Sequence, residues 1–546
     1  MPIPVGDRGF ELLAADLLAD ELAARPTLGS SLGLIEYDDE LADLSPEGIE
    51  RREASEDSWT DRLMALDDDA LNAEERVDRD LVLMVLEGRR IMRSWQGWRR
   101  NADAYAGEAL TGVYALLLHR LRPDAELARA VVARLRGIPE LLAQGAANLD
   151  PGLASPVLLR RSLGQIRAGA VYLRGLSGEF ADESLRRTLA DDTEPAAAAF
   201  DEFGAVVEAL AERATGEWAI GEDRYDGLLR HAEGLAYGAR EMRQRGRAVY
   251  SELAEDMRRR TVELGGDGDW RALLHGLADE RPRTPDEMRQ AYADITARAR
   301  AFCSENDLVT LPEGEECEIA PAAPFTRSWL AVAHYIAPPP FAPGNRRRVG
   351  HFFVPYPPDD ASAEQIAQRL ATNAHYAMWT ITAHEAYPGH HWHLSWLAAT
   401  RARPLRHVFS STYFTEGWGL YAEEMMREQG FFTDPRHALG QVDARLFRAA
   451  RIVVDTSLHL GEMSVEEAIE HMSTKASLSP ETARAEVLRY CAWPTQAASY
   501  LTGALEIQRM RDDWLHQACG SLKDFHDRVA ATGRLPISLV DRCLSG

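Results

Sequence analysis

Ten residues, HEAYPGHHWH from His384 to His393, hold four histidines and a glutamate. The nearest metal-binding pattern is H-E-x-x-H, in which two histidines four apart on one helical face bind zinc and the glutamate serves as general base. Here Pro388 stands where the second histidine should be. On a straight helix His384 and His390 are separated by about 600° of rotation and 9 Å of rise, and His391 lies about 10 Å along, so neither converges with His384 on one ion. Pro388 cannot continue the backbone ladder and Gly389 tolerates unusual dihedrals, so the helix is expected to bulge or break there. With Pro388 and Gly389 looped out, His384 and His390 become two ligands and Glu385 the base; His391 is the alternative second ligand. The competing reading is a histidine-rich solvated face, but the cluster grows out of the apolar run YAMWTITAHEAY.

A catalytic zinc usually takes three protein ligands and keeps a position for water. The segment FTEGWGLYAEEMMREQG follows, with Glu416 thirty-two residues after His384, enough for a connection and a second helix. Glu416 is the expected third ligand. Glu423, seven residues on and on the same helical face, is expected to orient a ligating imidazole. Glu424 and Glu428 read as ordinary members of an acidic helix. Further on, Asp455 and His459 share a face of the apolar helix RIVVDTSLHL. Either His459 donates to an oxyanion with Asp455 behind it, or the two satisfy each other between helices. Arg451, Arg489 and Arg509 could each bind a substrate carboxylate through the guanidinium fork, although any one of many arginines is better explained by a surface or interhelical salt bridge.

The chain resembles the bacterial family catalogued as domain of unknown function 885, marked by an HExxPGHH box and a following EGWxLYxE segment. The likeness extends through PTLGSSLGLIEYDDELADLSPEG, RAARIVVDTSLHLGEMSVEEAIE and RYCAWPTQAASYLTGALEIQRMR. That family in turn looks like a relative of the helical gluzincin peptidases of the Taq-type carboxypeptidase and thimet oligopeptidase kind. The resemblance implies a two-lobed, mainly α fold with zinc held by two histidines and a glutamate in a deep channel, and a second glutamate seven residues after the ligand. It also gives Tyr500 and Gly503 the look of the Tyr-x-x-Gly pattern of the carboxypeptidase relatives. A phenol beside the metal stabilises the oxygen of a tetrahedral intermediate, which makes Tyr500 the first oxyanion candidate.

These residues need long helices to carry them, and most of the chain has helical periodicity. Val77, Leu81, Met84, Val85, Gly88, Ile91, Met92 and Trp95 form one stripe, and similar stripes run through about 104–148, 156–180, 183–216 and 222–263. Composition changes at 306–358, where Pro, Gly and aromatics replace helix formers. VGHFFVPY reads there as a strand paired with SWLAVAHYI across PPPFAPGN. The expected architecture is a helical lobe over 1–305, a β-containing insert over 306–358 beside the active-site cleft, and a helical catalytic region over 359–546.

A chain of 546 residues exceeds the usual single core, which supports two lobes. Its net charge of −25 excludes nucleic acid and anionic membrane as main partners, since both need a basic face. Five scattered cysteines without C-x-x-C spacing exclude a disulfide framework or cysteine–zinc site. The start MPIPVGDRGFELLAADLL lacks the basic, apolar pattern of a signal peptide, and no apolar run reaches a membrane span; the expectation is a cytoplasmic protein. The functional expectation is a hydrolase with one zinc per chain that cleaves amide bonds of short peptides, with Glu385 as base. The alternatives are a hydrolase of non-peptide amides or esters, and an idle, metal-stabilised helical binding protein in which His391 closes the coordination sphere.

Overall fold

The computed structural model describes residues 9–322, 327, 332–343, 349–358, 360–400 and 402–545, which are mainly helical with one small sheet. The chain divides into two units, Met1–Ile220 with Pro339–Arg346, and Gly221–Pro338 with Arg347–Gly546. The division falls after Ile220, upstream of the boundary expected at residue 305.

The first unit is built on α1 (Asp103–His119), α2 (Asp124–Asn148), α3 (Pro156–Gly175) and α4 (Glu183–Ala211). Their apolar faces share a core that includes Tyr105, Val131, Ile138, Leu173 and Phe200. Helix starts follow local chemistry: Ser155 precedes Pro156 at the first helical position, and Asp182 accepts from the Ser184 and Leu185 N–H groups. In the helix Ala73–Arg93 the buried face is rotated from the expected stripe. Val77, Leu81 and Gly88 are buried, but their companions are Asp78, Val82 and Leu86, while Met84, Val85, Ile91 and Met92 stay partly exposed. Part of the expected hairpin turn docks in this unit, where the Phe341 N–H donates to the Leu32 carbonyl at 2.9 Å.

The second unit carries the histidine box. The stripe expected over 222–263 is interrupted: a π turn spans Leu228–Ala232, and helix resumes only as α5 (Ala239–Glu263). After α6 (Pro285–Glu305) comes a three-stranded sheet of β1 (Glu316–Pro321), β2 (His334–Ile336) and β3 (Val349–Val354), in the order β1-β3-β2. The expected antiparallel pair exists, with Tyr335 opposite Phe352; residues 328–331 and 344–348 of it lie outside the described residues. The parallel pairing of β1 with β3, Cys317 opposite Gly350, was not signalled by any local pattern. Then follow α7 (His375–Glu385), α8 (His390–Ala399), α9 (Thr412–Glu428), α10 (Pro435–His459), α11 (Pro480–Ala492) and α12 (Gln496–His516). Helices α9 and α12 cross backbone to backbone: a Cβ on Gly417 would lie 2.6 Å from the Gly503 Cα. That contact explains the glycine of the Tyr-x-x-Gly pattern as packing.

Candidate metal centre

The end of α7 delivers His384 and Glu385. The chain then leaves helical geometry at Ala386 (φ −109°, ψ −90°), passes a cis Tyr387–Pro388 bond and re-enters a helix at His390. Of the bulge or break expected there, the chain takes the break: a link between two helices. Proline forces the change, because it lacks the ladder N–H and disfavours helical geometry in the residue before it. Gly389 folds the link back over the end of α7, where a Cβ would lie 1.8 Å from the His384 carbonyl oxygen. The Trp418 indole N–H, from the EGWG segment, donates to the Pro388 carbonyl at 2.9 Å, and the Trp392 amide donates to the Ala386 carbonyl at 3.1 Å.

This fold-back brings the His384 and His390 rings to 4.8 Å between centroids, perpendicular to each other. Glu416, on α9, faces both, with Oε2 at 3.6 Å from each Nε2. One donor atom from each of these three side chains lies within 4.8 Å of the others, an arrangement that can hold a metal ion. On the far side of the His384 ring, Nδ1 meets Glu423 Oε1 at 2.8 Å in a buried contact. A proton on Nδ1 donated to Glu423 leaves the Nε2 lone pair for a cation. The ring also needs Gly419 beside it, since a Cβ there would lie 2.5 Å from His384 Cε1.

The electrostatics fit a cation. Burial works against a charged His384, yet Glu416 and Glu423 outweigh it and raise the imidazole pKa to about 10. Burial likewise opposes the Glu416 anion, and the two histidines overcome it and hold the carboxylate far below its ordinary range. A buried imidazole that gathers a proton under carboxylate pressure belongs to a donor set whose counter-charge a divalent ion can supply. Glu385 is pushed up by burial, an effect that His384 and His390 oppose. Its Oε2 accepts the backbone N–H of Tyr335, in β2, at 3.0 Å.

Tyr500 lies beside the cluster, its ring 6.3 Å from that of His384 and inclined by 24°. Burial and then the Glu416 charge raise its pKa, so the hydroxyl keeps its proton. The Arg451 guanidinium, itself buried, covers the Tyr500 ring at 4.3 Å. Arg489 donates to Gln496 at 2.6 Å and to Glu486 at 2.7 Å, and Gln496 in turn reaches the Tyr500 hydroxyl at 3.3 Å.

Other expected residues sit elsewhere. His391 turns away from the three donors: its Nε2 meets Glu315 Oε2 at 2.7 Å and its Nδ1 the Tyr335 hydroxyl at 3.1 Å. His459 presents Nε2 to the Tyr490 carbonyl at 3.0 Å, and burial lowers its pKa to about 4, so it is a neutral interhelical donor and no oxyanion contact. Asp455 accepts the Tyr225 hydroxyl instead of backing a ligand, and burial raises it to about 7. Arg509 is engaged by three carboxylates, Glu506, Asp513 and Asp541. His393 is buried against Phe414 and Trp418 as part of the core, with burial lowering it to about 3. The residues that sequence reasoning missed are Tyr335, Glu315, Trp418 and Gly419. For Gly419 a signal existed, in the small residues spaced along the Glu416 helix. For Tyr335 and Glu315 there was none, since both arrive through the sheet.

The family model described as "Bacterial protein of unknown function (DUF885)" matches residues 26–544. A candidate lipoprotein of unknown function from Shewanella oneidensis has a similar structure, with a TM-score of 0.79, 20% identity, and coverage of 98% of this chain and 100% of its own. A second candidate lipoprotein, from Colwellia psychrerythraea, gives a TM-score of 0.80 and 19% identity, covering 98% and 99%. No protein among curated sequences matches the chain. The expectation of a cytoplasmic protein is not borne out: both of these structural relatives are described as lipoproteins. No helix among the described residues is long and apolar enough to cross a membrane.

Proposed function

The chain belongs to the DUF885 family, whose description assigns no activity, and from that premise we propose that it is a zinc-dependent hydrolase of the helical gluzincin kind that cleaves amide bonds in short peptides. The observation that carries this reading is the convergence of His384, His390 and Glu416 within 4.8 Å, with Glu385 next to them in the chain. Two imidazoles and a carboxylate suit zinc. When bound, zinc supplies Lewis-acid polarisation of a carbonyl and lowers the pKa of a coordinated water towards about 7.

The protein's own groups supply the rest. Glu423 fixes the tautomer and orientation of His384. Glu385, with Oε2 held by the Tyr335 N–H, has its other oxygen for the attacking water. It takes one proton from that water and returns it to the leaving nitrogen. Tyr500 donates its retained proton as a hydrogen bond to the oxygen of the scissile carbonyl as charge develops there. A peptide is favoured over a non-peptide amide because β2 is an edge strand of the sheet order, where an extended peptide can donate to the strand's carbonyls, its Tyr335 N–H being held by Glu385. The idle, closed metal site is disfavoured because His391, the fourth ligand expected for it, is engaged by Glu315 and Tyr335.

The test is metal add-back. Full-length protein is stripped with chelator, reloaded with one equivalent of zinc, and incubated with a mixture of four- to eight-residue synthetic peptides, and new termini are identified by mass spectrometry. Cleavage that needs zinc supports the proposal. If zinc is bound stoichiometrically and no peptide is cut while amide or ester probes are, the peptide assignment falls. If neither is cut, the hydrolase reading falls with it.

A further inference from the structure

His391 is a costly residue to explain by packing alone. It is fully buried, it adjoins a member of the three-donor cluster, and both its ring nitrogens are engaged away from that cluster. Its Nε2 lies 2.7 Å from Glu315, a carboxylate that also accepts the Tyr387 hydroxyl and the Arg300 Nε at 2.7 Å. Its Nδ1 lies 3.1 Å from the Tyr335 hydroxyl. The tautomer with the proton on Nε2 satisfies both contacts: His391 donates to Glu315 and accepts from Tyr335. Tyr335 is also the residue whose backbone N–H donates to Glu385 Oε2 at 3.0 Å.

The side chain and the backbone of Tyr335 thus belong to two different sites. Its ring crosses β3 at Gly350, where a Cβ would lie 2.0 Å from the Tyr335 hydroxyl oxygen. That passage leads the hydroxyl to α8, while the amide of the same residue points at the last residue of α7. Strand β2 is only three residues long and pairs with β3 alone in the sheet, through three residue pairs, so the sheet holds it along a short length only. Anchoring by a buried hydroxyl–imidazole–carboxylate chain is what the geometry adds.

We propose that His391, through the Tyr335 hydroxyl and with Glu315 behind it, is a positioning residue that sets strand β2 so that the Tyr335 amide holds the carboxylate of Glu385. The role as base rests on the hydrolase reading above; the clamp itself does not. In an H-E-x-x-P-G-H-H box the two adjacent histidines then divide the labour, His390 facing the metal donors and His391 reaching round to the strand that steadies the base.

The test measures hydrogen exchange at the Tyr335 amide and turnover together, on the zinc-loaded full chain. Glu385→Ala, which removes the acceptor, defines the exchange rate of an unheld Tyr335 amide. The expected result is that His391→Ala and Tyr335→Phe each raise exchange at Tyr335 by about tenfold or more towards that limit while one zinc per chain is retained. On any peptide cleaved by wild type, kcat falls by about tenfold to a hundredfold with KM unchanged. The double variant is no worse than either single, because both break one chain of contacts. If His391→Ala does not fold, Tyr335→Phe and Gly350→Ala, which displaces the hydroxyl from the other side, carry the same test. Unchanged exchange at Tyr335, or loss of zinc in His391→Ala, overturns the clamp. If wild type cleaves nothing, the hydrolase reading fails, and the exchange data alone still decide for or against the clamp.

Discussion

Gly419→Ala introduces a methyl 2.5 Å from His384 Cε1, on a ring whose Nδ1 is held by Glu423. The ring must tilt, so zinc affinity is expected to fall by at least about tenfold with little loss of helix stability, as alanine is the better helix former. A competition titration with a chelating dye measures it, and unchanged affinity removes Gly419 from the site. At Glu385, Glu385→Gln preserves shape and still accepts the Tyr335 N–H, but cannot take a proton from water. Turnover is expected to drop by about a thousandfold or more with zinc retained; residual turnover within tenfold of wild type would falsify its role as base. The types and order of His384, Glu385, His390, Glu416 and Glu423 could be read from the sequence because metal chemistry restricts donors to a few side chains. The places of His459, Asp455 and Arg509 could not, since a polar group on an apolar helix face says only that a partner exists. Here the partners are the Tyr490 carbonyl, the Tyr225 hydroxyl and three carboxylates.

Among elements, the break between α7 and α8 does what a regular helix cannot. It turns two histidines six positions apart into ring neighbours 4.8 Å apart. One indole fastens that link from outside, the Trp418 N–H on the Pro388 carbonyl. Trp418→Phe keeps the aromatic packing and leaves a buried carbonyl without its donor, so a loss of about 1–3 kcal/mol is expected from urea unfolding, together with weaker zinc binding. Equal loss of stability with unaltered zinc affinity would show that the link holds its shape without the indole. The proline and glycine predicted a departure from helix, and they did so because each restricts backbone geometry locally. Whether that departure is a bulge or a full stop depends on the Trp418 contact from outside the box and on the close packing of Gly389 against the His384 carbonyl within it. The antiparallel partner of β3 was legible from the change in composition and a turn, whereas the parallel partner β1 was not. The stripe at 222–263 failed for a related reason, because periodicity does not register the interruption at Leu228–Ala232.

On the scale of the whole chain, acid should weaken the second unit through Glu315. Burial opposes its charge, but His391, Tyr387 and Arg300 hold its pKa down at about 2, against an ordinary 4.5. A depressed carboxylate contributes stability that is fully present above the unfolded value and is lost as pH falls through the folded one. The stability gap between wild type and Glu315→Gln is therefore expected to be constant above about 4.5 and to close between there and about 2; a gap independent of pH in that window contradicts the assignment. Helical class and a small sheet followed from periodicity and composition, both properties of the whole sequence. Location did not follow: the two lipoprotein relatives overturn an inference drawn from the absence of sorting features. The measurement that bears most directly on the account is zinc stoichiometry by mass spectrometry, on wild type, His390→Ala and His391→Ala prepared in parallel without chelator. The account predicts one zinc per chain in wild type and in His391→Ala, and none in His390→Ala. Zinc lost from His391→Ala but kept by His390→Ala, or no zinc in wild type after add-back, contradicts it.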